Sequence, residues 1–340
     1  MSQKIRYEWV DALKFLGICA IYLGHFGPNA GKLYPFVFSY HVPLFFFAAG
    51  FFSNRKKNDS IFKFTITKAR RLLLPYFSFA ILILIMTSVS SGENTSQLFS
   101  HLVDIFYGVR NNPYVGPIWF INCLFVASIL DELLRRLLRN DMLTLILSVA
   151  SLMYTQTLLS HNPLLNPSWF WNIDSALAYW WLLALGRIIF KWVSSDALSF
   201  HSAKGYLLFS VCAMFAAYQL YSGQSILIPI SSYVKFNNFI LFGTLNIIIS
   251  TSALIFFNIF IAKLICSSRF VIEAGRNTLN ICGLENITKT LLPSAISVFG
   301  LSISLPSPLA AIVYTMICIY ISQRIGLWLA ENISGPFSIK

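Results

Sequence analysis

Long apolar segments recur along the whole chain and are separated by short polar connectors. A helix needs about 17–25 apolar residues to cross the hydrocarbon core of a bilayer, and these segments have that length. They are continuous and do not alternate over about ten residues, so the pattern predicts an all-α bundle rather than a β-barrel. We place about ten membrane spans, at residues 10–27, 37–53, 72–91, 116–132, 142–160, 174–191, 205–222, 239–262, 278–299 and 308–327.

Composition supports this fold class. Of the 340 residues, 56% are hydrophobic and only 11% are charged, whereas soluble domains carry about 25% charged residues. A soluble fold of this length would therefore lack a polar surface. The chain contains no linker or low-complexity stretch, so residues 1–340 are predicted to form a single integral-membrane domain without a soluble accessory domain.

Basic residues are concentrated in alternate connectors, with the densest run between residues 54 and 71. The positive-inside rule places these connectors, and with them both termini, in the cytoplasm. The net charge of +12 then reflects topology rather than nucleic-acid binding. The cytoplasmic set includes Arg55, Lys56, Lys57, Lys63, Arg135, Arg136, Arg139, Lys191, Lys204, Lys263, Arg269, Arg276, Arg324 and Lys340. The opposite connectors contain only Lys32, Arg110 and Lys235.

Three ionisable residues lie in the first apolar segment, with Asp11 and Lys14 near its start and His25 near its end. On a helix, Lys14 and His25 are about 20° apart in rotation and about 16 Å apart along the axis, so they share one face. Asp11 is three residues before Lys14 and lies beside it. Ionisable groups inside a membrane mark functional sites by default. The alternative interpretation is a snorkelling lysine and a hydrogen-bonded core histidine.

Two further motifs place polar residues beside apolar segments. In KARRLLLPY, Lys68 and Arg71 are one turn apart, and their charges suit a phosphate-bearing ligand at the cytoplasmic face. Ordinary positive-inside anchoring is the alternative interpretation. In HVPLFFFAAGF, Gly50 predicts close packing of two helix backbones, and His41 has no such packing explanation.

Together these motifs resemble those of a known family. The sequences RYEWVDALKFLGICAIYLGH, YHVPLFFFAAGFF, KARRLLLPY and PIWFINCLF are similar to those of membrane-bound acyltransferase 3 proteins, and more closely to their fucose 4-O-acetylase-like branch. The family's pattern of a basic residue, ten residues and a histidine is matched by Lys14 and His25. Its basic-x-x-Arg pattern is matched by Lys68 and Arg71.

The later part of the chain follows the family pattern less closely. Trp119 and Asp174 fit family positions, and the sequence GRNTL at residues 275–279 matches the family's Gly-Lys/Arg-Asn-Ser/Thr-Leu pattern. The family usually has a histidine a few residues further on, where this chain has Glu285 followed by Lys289. A Glu–Lys pair at i, i+4 can neutralise itself inside a membrane, so this pair is interpreted as structural rather than catalytic.

The resemblance implies transfer of an acyl group, most often acetyl, from cytoplasmic acyl-coenzyme A. The implied acceptor is a hydroxyl of a cell-envelope polysaccharide or its lipid-linked precursor, of O-antigen, capsule or exopolysaccharide type. The implied location is the bacterial cytoplasmic (inner) membrane. His25 would act as general base or transient acyl carrier. Asp11 and Lys14 complete the predicted catalytic set.

Binding residues follow from the same resemblance. Lys68, Arg70 and Arg71 are predicted to bind the phosphates of acetyl-coenzyme A. The predicted substrate-binding residues are His41, Trp119, Asp174 and Glu285. No metal, prosthetic group or nucleic acid is expected, and the remaining partners are membrane lipids. If the first span runs outward, His25 lies toward the outer leaflet, and the pantetheine arm of the donor could thread the bundle to reach it.

Two other functions suit a multi-span envelope protein. A non-enzymatic glycolipid flippase or transporter would also have basic loops and buried polar residues. A glycan polymerase would need a large outer loop, whereas the longest outer connector here runs only from Gly92 to Val115.

Overall fold

The computed structural model describes residues 6–53, 60–92, 94–112, 114–195, 198, 200, 202–223, 239–299, 305 and 307–332. All regular secondary structure within these ranges is helical. The α-helices are α1 (Glu8–Gly24), α2 (Leu33–Phe38), α3 (His41–Gly50), α4 (Ile61–Ser91), α5 (Thr95–Tyr107), α6 (Trp119–Leu138), α7 (Asp141–Thr157), α8 (Ile173–Val193), α9 (Ala203–Ser222), α10 (Phe239–Ile265), α11 (Arg269–Arg276), α12 (Thr278–Gly283), α13 (Glu285–Ser297) and α14 (Pro308–Asn332). Short 3₁₀ segments cover Gly27–Ala30, Gly116–Ile118 and Phe170–Asn172.

The predicted polytopic helical fold is confirmed. Among the described residues, 7 helical segments are long and apolar enough to cross a membrane. Helices α1 and α7 coincide with predicted spans but have 17 residues each, and the predicted span 278–299 is divided into α12 and α13. A count of about ten spans and the cytoplasmic side of both termini stay predictions. Arg55, Lys56, Lys57, Lys235 and Lys340 lie outside the described residues.

Two predicted connectors contain helical residues. Helix α4 begins at Ile61 rather than residue 72, because the hydroxyl of Ser60 accepts a hydrogen bond from the backbone N–H of Lys63 and caps the helix there. The basic motif therefore lies on a helix and not in a connector. The predicted outer loop also contains α5, which begins with a reciprocal capping box between Asn94 and Gln97.

Helices α3 and α8 cross at two glycines. A Cβ atom added at Gly50 would collide with the carbonyl oxygen of Leu183, and one added at Gly186 would collide with that of Phe47. The close packing predicted for Gly50 is therefore present, with Gly186 as its counterpart. Helix α1 packs against α3, α10, α11, α12 and α14, so it lies at the centre of the bundle.

A buried ion pair joins α6, α7 and α8. Arg187 contacts Asp131 through Nη1 and Asp141 through Nε, and Trp180 donates its indole N–H to Asp131 at 3.0 Å. Arg187 is only 1% exposed, whereas the side chain of Asp141 is 51% exposed. The arginine therefore depends mainly on Asp131, since a charge with no partner is costly in this environment.

We expect Asp131→Asn to lower the free energy of unfolding by about 3–5 kcal/mol, because it leaves a buried guanidinium without its buried partner. The same change at the half-exposed partner, Asp141→Asn, should cost less than about 1 kcal/mol. Thermal or denaturant unfolding of the purified protein in detergent measures both. Equal losses in the two variants would contradict the asymmetry.

Candidate active site

The C-terminal end of α1 carries a histidine beside a buried acid. We term this end of the helix its outer end and the N-terminal end its inner end, after the predicted topology. His25 directly follows α1, and its Nδ1 atom lies 2.7 Å from Oε1 of Glu285, which begins α13. The Glu285 side chain is 0% exposed and that of His25 is 32% exposed. A helix C-terminus favours a cation and a helix N-terminus favours an anion, so both macrodipoles stabilise this pair when it is charged.

Lys289 fixes the same contact from the next turn of α13. Its Nζ atom lies 3.3 Å from Oε1 of Glu285 and 3.3 Å from the carbonyl oxygen of His25. It also lies over the ring of Phe26, at 5.1 Å from the centroid. The Glu–Lys pair seen in the sequence is thus present, but it forms part of a larger unit that includes His25.

A hydroxyl network below His25 aligns the helices that form this unit. Tyr22 donates to the carbonyl oxygen of Ile281 at 3.1 Å and contacts the hydroxyl of Ser322 at 2.9 Å. Ser322 also contacts Thr288 at 3.0 Å. These bonds link α1, α12, α13 and α14, so the position of Glu285 relative to His25 is set by several helices.

The inner end of α1 carries a second charged group, which we term the inner basic cluster: Asp11 with Arg6, Lys14 and Arg276. The buried carboxylate of Asp11 lies 2.8 Å from Arg6, 2.8 Å from Lys14 and 3.6 Å from Arg276. Three cations around one carboxylate leave an excess of positive charge. Asp11 lies about 21 Å from His25 along the helix axis, so neither it nor Lys14 touches a group that reacts at His25.

An inner cavity of about 250 Å³ is lined by Lys14 and otherwise almost entirely by apolar residues, among them Phe45, Leu72 and Phe120. The rings of Phe45 and Phe120 lie 5.3 Å apart. The cavity therefore has one basic residue in a largely apolar lining.

The predicted phosphate ligands on α4 differ in their surroundings. Arg70 and Arg71 are exposed, and Arg71 precedes the cavity residue Leu72. Lys68 instead turns toward α6, where its Nζ atom lies 3.4 Å from the hydroxyl of Ser128. Of the three, only the two arginines are exposed to solvent.

An outer cavity of about 330 Å³ brings together two of the predicted substrate-binding residues, His41 and Trp119. Nδ1 of His41 donates to the carbonyl oxygen of Val37 at 2.8 Å, so its Nε2 carries a lone pair. Phe38, which lines this cavity and contacts the ring of His41, also packs against Gly24, the residue before His25, so the cavity lies at the same end of α1 as His25.

Asp174 and Glu285, the other two predicted substrate-binding residues, both contact protein groups. Asp174 is fully buried and accepts hydrogen bonds from His161 Nε2 at 2.7 Å and from the backbone N–H of Ser168 at 2.8 Å. It thereby shapes the loop that contributes Leu164 to the outer cavity. Oε1 of Glu285 is occupied by His25 and Lys289, whereas its Oε2 has no hydrogen-bond partner among the described residues. Substrate binding by either residue stays a prediction.

A family model described as an acyltransferase domain matches residues 7–322. The chain belongs to the acyltransferase 3 family. No curated protein and no solved structure matches it. Membership of the acyltransferase 3 family identifies the chain as a membrane acyltransferase, whereas the fucose 4-O-acetylase-like branch stays a prediction.

The His25 unit suits acyltransferase chemistry. With Nδ1–H donated to Glu285, the Nε2 atom of His25 can accept a proton from a hydroxyl. Glu285 fixes the tautomer and stabilises the imidazolium that forms, as the acid does in a Ser-His-Asp triad. No sequence pattern predicts this contact, because the two residues are 260 positions apart and belong to no common motif.

For this acyltransferase we expect Glu285→Gln to lower kcat, because the amide oxygen still accepts from His25 but no negative charge stabilises the imidazolium. Lys289→Met keeps the His25–Glu285 contact and should lower kcat less. Steady-state acyl transfer, measured with the unfolding temperature of each variant, tests this. An unchanged kcat in Glu285→Gln would contradict the assigned role.

Proposed function

We propose that this acyltransferase transfers an acyl group, specifically acetyl, from cytoplasmic acetyl-coenzyme A to a hydroxyl of a cell-envelope polysaccharide or its lipid-linked precursor. The observation that carries the proposal is the 2.7 Å contact between His25 and Glu285 beside the outer cavity. A thioester is already activated, so the enzyme has to supply mainly a base for the hydroxyl. The sequence resemblance to the fucose 4-O-acetylase-like branch supports acetyl as the group.

The reaction follows from the orientation of His25. Its Nε2 atom takes the proton from the acceptor hydroxyl while the hydroxyl oxygen attacks the thioester carbonyl carbon. A new C–O bond forms and the C–S bond breaks. The imidazolium then returns the proton to the departing thiolate, which leaves as coenzyme A thiol. Glu285 keeps its charge throughout and offsets that of the imidazolium.

The donor would bind at the opposite end of α1. The inner basic cluster, together with Arg70 and Arg71, offers charge-assisted hydrogen bonds to the phosphates of coenzyme A. The apolar inner cavity suits the narrow pantetheine arm. With both termini in the cytoplasm, this arrangement carries the acyl group toward the outer leaflet of the cytoplasmic (inner) membrane while the nucleotide stays inside.

We expect His25→Ala to lower the rate of acetyl transfer by about 10²–10⁴-fold, because the base is lost while the donor and acceptor sites stay intact. Mass spectrometry of the glycan after incubation with purified protein and acetyl-coenzyme A measures the product. His101→Ala, which changes a partly exposed histidine on α5, is the matched control and should retain activity. Transfer at the wild-type rate by a folded His25→Ala variant would refute the role of His25, and absence of transfer by the wild type would favour a transport function.

We expect Lys14→Gln and Arg276→Gln to raise the KM for acetyl-coenzyme A by about tenfold or more, since each removes a charge-assisted hydrogen bond to phosphate. The value of kcat at saturating donor should change little, because both residues lie far from His25. Arg269→Gln, on the same helix as Arg276 but paired with Glu273 at the surface, is the control. A loss of kcat without a change in KM would contradict donor binding here.

A further inference from the structure

The outer cavity contains a cation that the reaction described above does not use. Arg110 lines the cavity with His41, Trp119 and Tyr179. Its guanidinium lies over the Trp119 ring, at 4.8 Å from the centroid, and its Nη1 donates to the carbonyl oxygen of Leu164 at 2.9 Å. From the sequence, Arg110 was only one of a few basic residues in the outer connectors.

Among the described residues, no carboxylate lies within ion-pair distance of this guanidinium, whose contacts are the Trp119 ring and the carbonyl oxygen of Leu164. Burial lowers the pKa of Arg110 from its ordinary value, as expected for a cation withdrawn from water. By contrast Arg187, which is buried on α8, contacts two aspartates.

The protein holds Arg110 firmly in this position. Its backbone N–H donates to the side-chain oxygen of Asn172 at 2.9 Å, and Asn172 donates to the carbonyl oxygen of Gly108 at 2.8 Å. Trp171 and Asn172 both have positive φ angles, 52° and 54°, a backbone conformation that non-glycine residues rarely adopt. Such strain persists where the surrounding structure enforces it, commonly at ligand sites.

The remaining lining suits a sugar. Nε2 of His41 can accept a hydrogen bond, and Asn166, Tyr34 and Tyr179 add an amide and two hydroxyls. The volume of about 330 Å³ falls within the range of small-molecule sites. A neutral sugar would satisfy these polar groups but would leave the guanidinium unpaired, whereas an anionic sugar or a sugar phosphate would satisfy both.

We infer that the outer cavity is the acceptor subsite and that Arg110 selects an acceptor with an anionic group close to the acylated hydroxyl. This inference rests on the proposed acyl transfer, because only that reaction has an acceptor. The anion is either the carboxylate of an acidic sugar or the phosphate of a lipid-linked precursor, since the guanidinium fork fits both. The phosphates of the donor are assigned to the inner basic cluster, at the other end of α1.

Binding to the purified full chain tests this without any acyl donor. The carboxylate probe is a glucuronate-containing oligosaccharide, compared with its carboxamide derivative. The phosphate probe is a polyprenyl phosphate in detergent, compared with the neutral polyprenol. Isothermal titration gives Kd for each probe with the wild type, Arg110→Gln, Arg110→Lys and Arg324→Gln. Arg324 is the matched control, because it also lies over an aromatic ring, that of Tyr320, but on an exposed part of α14.

We expect one anionic probe to bind about tenfold or more tightly than its neutral counterpart. That preference should disappear in Arg110→Gln, which can still donate to Leu164, and should be retained in Arg110→Lys and Arg324→Gln. Preference for the glucuronate probe identifies an acidic sugar as the source, and preference for the polyprenyl phosphate identifies a lipid-linked precursor.

Three results would overturn the inference. The first is the absence of any anion preference in the wild type, and the second is a preference that Arg110→Gln leaves unchanged. The third is Arg110-dependent binding of adenosine 3′,5′-bisphosphate, which would assign the cation to the donor. Failure of the proposed function has a different signature, because full acetyl transfer by His25→Ala would refute the catalytic assignment without altering these binding constants.

Discussion

The structure depends on the neutralisation of charge inside a bundle that has little polar surface. An ionised side chain is costly in hydrocarbon unless an opposite charge lies beside it. Three of the buried acids, Glu285, Asp11 and Asp131, each lie against basic groups. Each of the three contacts a basic residue on a helix distant in sequence, namely His25, Arg276 and Arg187. The packing of those helices and the assembly of the candidate active site therefore depend on the same interactions.

Helix α1 divides the chemistry between its two ends. The inner end gathers an excess of positive charge around Asp11, and the outer end presents His25 to a buried carboxylate. About 21 Å of helix separates them, which is too far for any side chain to bridge. A donor that has phosphates at one end and a reactive thioester at the other, with an extended arm between, matches this separation. One central helix can thus bind the donor and supply the base.

The loops around the outer cavity have irregular backbone conformations. Asn172 has a left-handed conformation, and its side chain bonds to both Gly108 and Arg110. Asp174 fixes the neighbouring loop through His161. These buried polar groups are all satisfied by one another, which is the condition for irregular backbone within a membrane protein. Arg110 differs from these groups, because no acid among the described residues pairs with its charge, and it lines the outer cavity.

The sequence alone determined the fold class, the approximate position of each apolar segment and the family, because apolar length and local motifs record these directly. It also marked His25, Lys14 and His41, since polar residues within apolar segments stand out individually. Only the tertiary structure showed that Glu285 contacts His25, that Arg276 joins Asp11, and that Asp174 holds a loop of the outer cavity through His161 and Ser168. Those contacts arise from packing between helices far apart in the chain, and no local spacing encodes them.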